Sequence, residues 1–265
     1  LYCCLQSILK AAQPEAGAPG LWRLAQVGLL FEVIVVDSAS SDDSVEMVRA
    51  EFPTVRLYAS TENLGYAGGN NLGMREARGR YLLLLNPDTE ILDGALDEML
   101  AYMEVHPEVG IAGPQLYYAD GTVQSSRRRF PTLATAFIES TFLQKWFPQH
   151  PVLRRYYVLD QSADVTAEVD WLNGACLVVR RPVIEQVGML DEAYFMYSEE
   201  LDWQKRAREA GWKIVYLVTA RVMHYEGKSS EQVRALTHVR FSQSKIYYFG
   251  KHHGLWTGRL VWLWL

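Results

Sequence analysis

Phe31-Glu-Val-Ile-Val-Val-Asp37 is a short apolar, β-branched run that ends in an acid, the pattern of a strand buried on both faces of a parallel sheet. The polar turn Ser38 to Ser44 follows and can cap a helix over Val45 to Glu51. The same alternation then repeats. Thr54 to Tyr58 reads as a strand, and Asn63-Leu-Gly-Tyr-Ala-Gly-Gly-Asn-Asn-Leu-Gly73 as a glycine-rich turn entering a helix through Arg78. Tyr81-Leu-Leu-Leu-Leu85 is another buried strand, ending at Asn86-Pro-Asp-Thr-Glu90. Leu92 to His106 has helical spacing and Val109 to Tyr117 returns to strand. Strands and helices alternating at this length predict a parallel α/β sheet.

The second half departs from that rhythm. Arg127-Arg-Arg129 precedes an aromatic stretch, Ala134 to Phe147, in which Phe137, Phe142, Trp146 and Phe147 fit one side of a helix. Val169-Asp-Trp-Leu-Asn-Gly-Ala-Cys-Leu-Val-Val-Arg180 reads as a strand broken by a tight Asn-Gly turn. Glu199 to Ala210 is helical, with Trp212 to Val218 and Arg221 to His224 as short strands.

Composition narrows the function classes. The 265 residues are 49% hydrophobic and 22% charged, too apolar for disorder. A net charge of -5 argues against a general nucleic-acid binder. No run reaches the roughly 18 apolar residues of a spanning helix. Three cysteines, Cys3, Cys4 and Cys176, form neither a disulfide framework nor a zinc site, so a reducing, cytoplasmic setting is expected. From Lys228 to Leu265, six Lys/Arg face one acid, Glu231, among Tyr, Phe and Trp, which suits a membrane surface. The chain opens at Leu1 rather than Met and stops inside the apolar run Leu260 to Leu265, so both ends read as cut.

In an open parallel sheet, ligands sit beyond the carboxyl ends of the strands. Asp37, the loop from Asn63 and Asn86-Pro-Asp88 all fall there. Each has two readings. Asp37 with Ser38 either accepts from a nucleobase imide or caps a helix. Glycines 65, 68, 69 and 73 either admit a diphosphate to backbone N–H groups or simply make a tight turn. They match neither the dinucleotide fingerprint nor a P-loop, which makes an NAD enzyme or a P-loop NTPase a poor fit. Asp88 is a loop acid or an oxygen ligand for Mg²⁺ or Mn²⁺. Glu199-Glu-Leu-Asp202 is a dipole-favoured acidic helix start or holds a general base. His224 is a structural or a metal-ligating histidine.

In order, Val35-Val-Asp-Ser-Ala-Ser-Ser-Asp42, Asn63 to Gly73, Leu84-Leu-Asn-Pro-Asp-Thr-Glu90, Trp171-Leu-Asn-Gly-Ala-Cys176, Leu190 to Asp202, Ala210-Gly-Trp-Lys213 and His224 resemble the family 2 glycosyltransferases. The likeness is particularly to their rhamnosyltransferase-like bacterial branch, and the resemblance covers roughly residues 1 to 230. The resemblance implies a GT-A fold, a Rossmann-like nucleotide-binding sheet flanked by helices. It also implies a nucleotide-sugar donor and inversion at the anomeric carbon. It divides the chain into a transferase domain, 1–228, and a basic, aromatic helical tail, 229–265. Within the domain, about 1–125 would bind the nucleotide sugar and about 126–228 would hold acceptor and catalysis.

By that resemblance, Asp37 and Ser38 read the base, while Asn63 and Gly69-Asn70-Asn71 line the nucleotide. Asn86 and Asp88 occupy the Asp-any-Asp motif, so one carboxylate remains to hold Mg²⁺ or Mn²⁺, with His224 as a further ligand. Gly174 and Ala175 lie beside donor sugar and acceptor, with Trp171 as a stacking surface. Glu200 takes the position of the catalytic base, with Asp202 second. The branch points to dTDP-rhamnose, to a glycan or lipid-linked acceptor in cell-surface polysaccharide synthesis, and to attachment at the cytoplasmic face of the membrane. Two departures are visible: relatives begin with a strand that is lacking before Leu1 to Leu9, and about Ala11 to Leu29 is an extra Ala/Gly/Pro-rich segment. These, with Asn86 and Glu200, leave a catalytically silent sugar-nucleotide-binding domain as the alternative. A nucleotidylyltransferase would need a Gly-Gly-any-Gly-Thr loop and a phosphate lysine, and neither is seen.

Overall fold

The computed structural model describes residues 1–225 and 234–265, with side chains in the second stretch from 238 onward. The boundary expected at 228/229, with Lys228 and Glu231, lies outside the described residues.

In chain order the elements are α1 (Tyr2–Lys10), β1 (Ala12–Pro14), β2 (Trp22–Leu24), β3 (Leu30–Phe31), β4 (Ile34–Ser38), α2 (Ser44–Glu51), β5 (Arg56–Ser60) and α3 (Gly65–Glu76). Then follow β6 (Tyr81–Leu85), β7 (Thr89–Ile91), α4 (Ala95–Val105), β8 (Val109–Tyr117), β9 (Val123–Gln124), β10 (Arg127–Arg128), α5 (Leu133–Glu139), α6 (Leu143–Trp146) and α7 (Pro151–Tyr156). The chain continues through β11 (Ala167–Glu168), β12 (Trp171–Leu172), β13 (Cys176–Arg180), α8 (Arg181–Val187), α9 (Glu199–Glu209), β14 (Lys213–His224), α10 (Arg234–His253) and α11 (Leu255–Trp262).

The main sheet has seven strands, with the path β11-β14-β8-β13-β6 and with β7 on β14 and β9 on β8. It is mixed rather than parallel throughout. Only β14 and β8 pair in parallel; β13 lies between β6 and β8 and runs against both. The α4 crossover leaves a one-strand gap between β6 and β8, and β13 fills it in the opposite sense. All of Cys176 to Val179 is buried, so both faces are apolar, as they would be in a parallel strand.

β4 and β5 form a separate parallel pair, Ile34 opposite Arg56 through Ser38 opposite Ser60. Among the described residues β4 pairs only with β5, and β6 only with β13. Two helices hold the pair to the main sheet. On one face, α3 lies close against β4 at Gly69, where a Cβ would stand 3.3 Å from Ser38 Oγ, and Gly73 packs over Val36. Ala67 and Met74 of the same helix pack with Leu82 and Leu84 of β6. On the other, α1 sends Leu5 among Val33, Val35 and Trp22, and Cys4 and Ile8 among Leu83 and Leu85.

The Ala/Gly/Pro-rich segment is part of this layer. It folds into the antiparallel β1-β2-β3 sheet, buries Trp22 and Leu24, and is tied to α4 where the Asp97 carboxylate accepts from Gln26 N (3.0 Å) and Val27 N (2.8 Å). At the other end, Tyr248, Phe249 and Val261 of α10 and α11 are buried against Tyr194, Leu201 and Trp171. No helix among the described residues is long and apolar enough to cross a membrane.

Candidate functional site

The site gathers at the strand ends. After β4, Asp37 is nearly buried and its Oδ2 accepts from Ser40 N at 3.1 Å, while Ala39 between them takes φ 61°. That is a left-handed conformation that costs a β-carbon-bearing residue about a kcal/mol or more. Ser38 faces the start of α3, where a Cβ at Gly69 would come within 3.3 Å of its Oγ. Asn63 caps the turn by accepting from Gly65 N at 2.9 Å, and Gly65, at φ 66°, lies so close to the Phe195 carbonyl that no Cβ fits. Asn70 donates to the Tyr66 carbonyl at 2.9 Å.

Asn71 is a different case. Its amide is buried, donates to Leu190 O and to Oε1 of the exposed Glu192, and accepts from Leu190 N at 3.0 Å. It stitches α3 to the segment before α9 and does not line a nucleotide, a correction to the sequence reading.

After β6, Asn86 N donates to the Ala175 carbonyl (2.9 Å), joining the ends of β6 and β13. Asp88 turns toward His224, at the end of β14, with Oδ1 3.5 Å from Nε2. The opposite ring nitrogen, Nδ1, lies 2.8 Å from Gln124 Oε1. Burial works to raise the Asp88 pKa, but the hydrogen bond and charge of His224 outweigh it and hold the carboxyl below its ordinary value. With Nδ1–H donating to Gln124, Nε2 faces the carboxylate, donating to it when the ring is protonated and offering a lone pair to a cation between them when the ring is neutral. One oxygen and one imidazole nitrogen, oriented from behind by an amide, fit a Mg²⁺ or Mn²⁺ ion whose remaining ligands come from a diphosphate. No cluster of three or more His, Cys, Asp or Glu that could hold a metal occurs among the described residues.

The third component is the start of α9. Tyr197 (φ 72°) and Ser198 (φ 67°) are both left-handed, so three of the four non-glycine residues with positive φ among the described residues flank this site. Glu199 and Glu200 follow. Glu199 is 3% exposed, and one carboxylate oxygen of each is buried without a hydrogen-bond partner among the described residues. Burial raises the Glu199 pKa, and the neighbouring Glu200 charge adds to it. Burial also raises Glu200, against the backbone amides of Glu200, Leu201 and Gly174 and the charge of Arg128, which favour the ionised form. Gly174 is where this helix meets the glycine-rich one. Tyr66 donates its hydroxyl to the Gly174 carbonyl at 2.7 Å, and a Cβ at Gly174 would stand 2.7 Å from that hydroxyl and 3.5 Å from Glu200 Cβ.

Asp202 and Trp171 do not face this cleft. Asp202 is fully enclosed, accepting from Arg206 Nε (2.8 Å) and meeting Lys251 Nζ (2.8 Å) and His252 Nε2 (2.7 Å). Despite burial, those contacts bring its pKa down to about 2. It ties α9 to α10, and no free carboxylate edge is left for a base. Trp171 is 9% exposed, donates its indole N–H to the Arg129 carbonyl at 3.0 Å, and packs among core aromatics. It is core rather than a stacking platform. Ala175 is likewise buried, acting through its carbonyl.

Three contributors had no assigned role in the sequence. Tyr66 stood inside the glycine-rich stretch and Arg128 inside the triple arginine, both visible as residues but not by direction. Gln124 carried no sequence signal.

A strand-end acid, a glycine-lined helix start, a carboxylate–imidazole pair and a buried carboxylate across a glycine thus gather at one end of an α/β sheet. The profile described as Glycosyl transferase family 2 matches residues 20–168. The N-acetylglucosaminyl-diphospho-decaprenol L-rhamnosyltransferase of Mycobacterium tuberculosis is 32% identical over 256 residues, 90% of this chain and 82% of that protein. Rhamnosyltransferase WbbL of Escherichia coli K12 is 27% identical over 179 residues, 63% of each chain. The chain belongs to glycosyl transferase family 2 and is a glycosyltransferase. Among solved structures, GalNAc-T7 with UDP, GalNAc and Mn²⁺ superposes with a TM-score of 0.54 at 14% identity, over 76% of this chain and 39% of that one. S. aureus TarS 1-349 superposes at 0.53 and 15% identity, over 94% and 67%. At those identities the likeness is one of fold.

Proposed function

We propose that this chain moves a sugar, rhamnose from dTDP-rhamnose, to a hydroxyl of a lipid-diphosphate-linked glycan in cell-surface polysaccharide synthesis. The reaction is a single inverting displacement. The observation that carries the reading is Glu200: a carboxylate at the start of α9, one oxygen without a partner among the described residues, set against Gly174, where a Cβ would displace the Tyr66 hydroxyl. In this reading Glu200 accepts the proton of the acceptor hydroxyl as its oxygen attacks the anomeric carbon. Gly174 leaves room for the two sugars, and Tyr66 fixes the carbonyl edge. Asp37 and Ser38 hold the base, and the glycine-lined start of α3 offers backbone N–H groups to the phosphates.

Asp88 and His224 would hold the divalent cation, which when bound neutralises charge developing on the departing nucleoside diphosphate. The mycobacterial relative, named for a diphospho-decaprenol acceptor and L-rhamnose, supports the choice of substrates. GalNAc-T7, crystallised with Mn²⁺, supports the choice of ion.

Glu200→Gln is expected to bind dTDP normally and lose turnover by roughly 10²–10⁴. Asp88→Ala should lose both the metal-dependent part of dTDP binding and turnover. Retention of most activity by Glu200→Gln would remove it as the base.

The reading includes a cytoplasmic enzyme held at the membrane face. Trp146 (69% exposed) on α6 and Trp256 (79%) and Trp262 (64%) on α11 stand in solvent. Residues 140–159 and 234–265 together carry eight Lys/Arg and no Asp/Glu in a chain of net charge -5. Sedimentation with phosphatidylglycerol vesicles but not with phosphatidylcholine vesicles checks this, and equal indifference to both would overturn it.

A further inference from the structure

A cavity of about 220 Å³ opens beside the site, with Tyr118, Gln124, Arg128, Tyr157 and Asn173 in its wall and no carboxylate there. Its inner side is shared with the machinery already described. Gln124 is the residue that orients His224. Asn173 precedes Gly174, its side chain accepting from Ala175 N (2.9 Å) and its backbone N donating to Ser126 O (2.9 Å).

Arg128 is the cation of this wall, and it is fixed. Its Nη1 donates to Ser125 O (2.7 Å), Ser125 Oγ (3.0 Å) and Arg127 O (2.8 Å). Its guanidinium lies 4.6 Å over the ring of Tyr157, whose hydroxyl is anchored on Glu139 Oε1 at 2.7 Å. The remaining donors, Nε and Nη2, make no hydrogen bond, and the side chain has no ion-pair partner among the described residues. A rigid, unpaired guanidinium in an acid-free wall of phenols and amides is a receptor for a tetrahedral oxyanion. It is close enough to Glu200 to favour that residue's ionised form. An anion bound here therefore lies within electrostatic reach of the base, with Gln124 standing between it and His224.

We infer that this cavity binds the phosphate attached to the acceptor sugar, with Arg128 as the residue that recognises it. The inference rests on the lipid-diphosphate acceptor proposed above. It makes Arg128 a specificity determinant: an acceptor sugar is presented to Glu200 when its reducing end carries phosphate.

The probe is geranyl diphosphate, titrated into the full chain with inorganic pyrophosphate and dTDP as comparisons. Arg128→Gln should weaken geranyl diphosphate by about tenfold or more, the loss of a charge-assisted contact, and leave dTDP binding within twofold. Arg155→Gln, a nearby surface cation outside the cavity, should leave both unchanged. Equal loss of dTDP binding in Arg128→Gln would make the cavity part of the donor site. Unchanged geranyl diphosphate binding would remove Arg128 as receptor, and pyrophosphate binding as tightly as geranyl diphosphate would mean a free-anion site. Each of these overturns the inference. In the unsubstituted chain, geranyl diphosphate should protect Arg128 from phenylglyoxal, a readout independent of whether the variant folds, and absence of protection also overturns it. If diphosphate binding behaves as expected but no rhamnose is transferred, the donor reading fails and the cavity stands.

Discussion

Replacing Asp202 by Asn separates what α9 does for stability from what it does for chemistry. Asp202 is fully enclosed and meets three cations, Arg206, Lys251 and His252. Removing one side of a buried ion cluster costs about 3–5 kcal/mol. Two of the cations keep other partners: Arg206 still donates to the Val187 and Met189 carbonyls, and Lys251 still reaches Asp191 Oδ2 at 2.7 Å. The low end of that range, about 3 kcal/mol, is therefore expected. A second route gives a similar size. The carboxyl falls from 3.8 to about 2 in the folded chain, worth roughly 2 kcal/mol at about 1.4 kcal/mol per unit. Because the folded value is the depressed one, this stability is complete above pH 3.8 and disappears as pH falls toward 2. Urea unfolding at pH 7 should thus place Asp202→Asn about 3 kcal/mol below the parent, with Tm lower by roughly 6–12 °C. The gap should narrow on acidification from pH 5 to pH 3. At a temperature where both are folded, kcat should differ by only a few fold. A variant as stable as the parent but about a thousandfold slower would refute the assignment and make Asp202 the base.

Gly174→Ala puts a methyl 2.7 Å from the Tyr66 hydroxyl, so that hydroxyl must leave its carbonyl. Turnover should drop by about 10² with dTDP affinity unchanged by titration, and normal turnover would show that the cleft is not at Gly174. Glu199→Gln removes a carboxyl whose proton affinity burial and the neighbouring Glu200 charge both raise. Since the base works ionised, the acid limb of kcat/KM in the parent should lie above the ordinary carboxylate value of 4.5 because Glu200 is buried, and it should stay there in the variant, because the more strongly raised Glu199 is still protonated where Glu200 titrates. A raised carboxyl loses its stability contribution as pH climbs, so Glu199→Gln should also gain stability over the parent with increasing pH above 4.5. An acid limb that moved to lower pH in the variant would show instead that Glu199 is charged where Glu200 titrates.

The sequence carried the sheet's strands better than their directions. Val109–Tyr117 is nine residues long and buried almost throughout, and its apolar run shows both ends plainly. Strand sense is not a local property: Cys176–Arg180 has the both-faces-apolar composition of a parallel strand and runs antiparallel because the open position lies between β6 and β8. The two strands expected at Trp212–Val218 and Arg221–His224 are one, β14, because an irregularity between Leu217 and Arg221 keeps it paired with β8 on both sides. Of the site, the residues at strand ends could be read from position alone. Asn71 and Trp171 could not, since burial depends on what packs over them, here the segment before α9 and the α10–α11 pair.

Glu200 and Asp202 were legible further than their order suggested. At about 100° per residue, two positions two apart on a helix point about 200° away from each other, so both could not serve one cleft. The structure gives them opposite environments. Arg206, Lys251 and His252 all converge on Asp202, which is brought down to about 2, whereas the Glu199–Glu200 pair is raised by burial against backbone amides and the charge of Arg128 alone among the cations. Neighbouring carboxylates whose environments drive their proton affinities apart divide into structural and reactive roles. That division runs through a single turn of α9, one side of it bound to α10 and the other set against Gly174. The helix that carries the proposed base is thereby held in place by the chain's own C-terminal helices, which makes them part of the site's support.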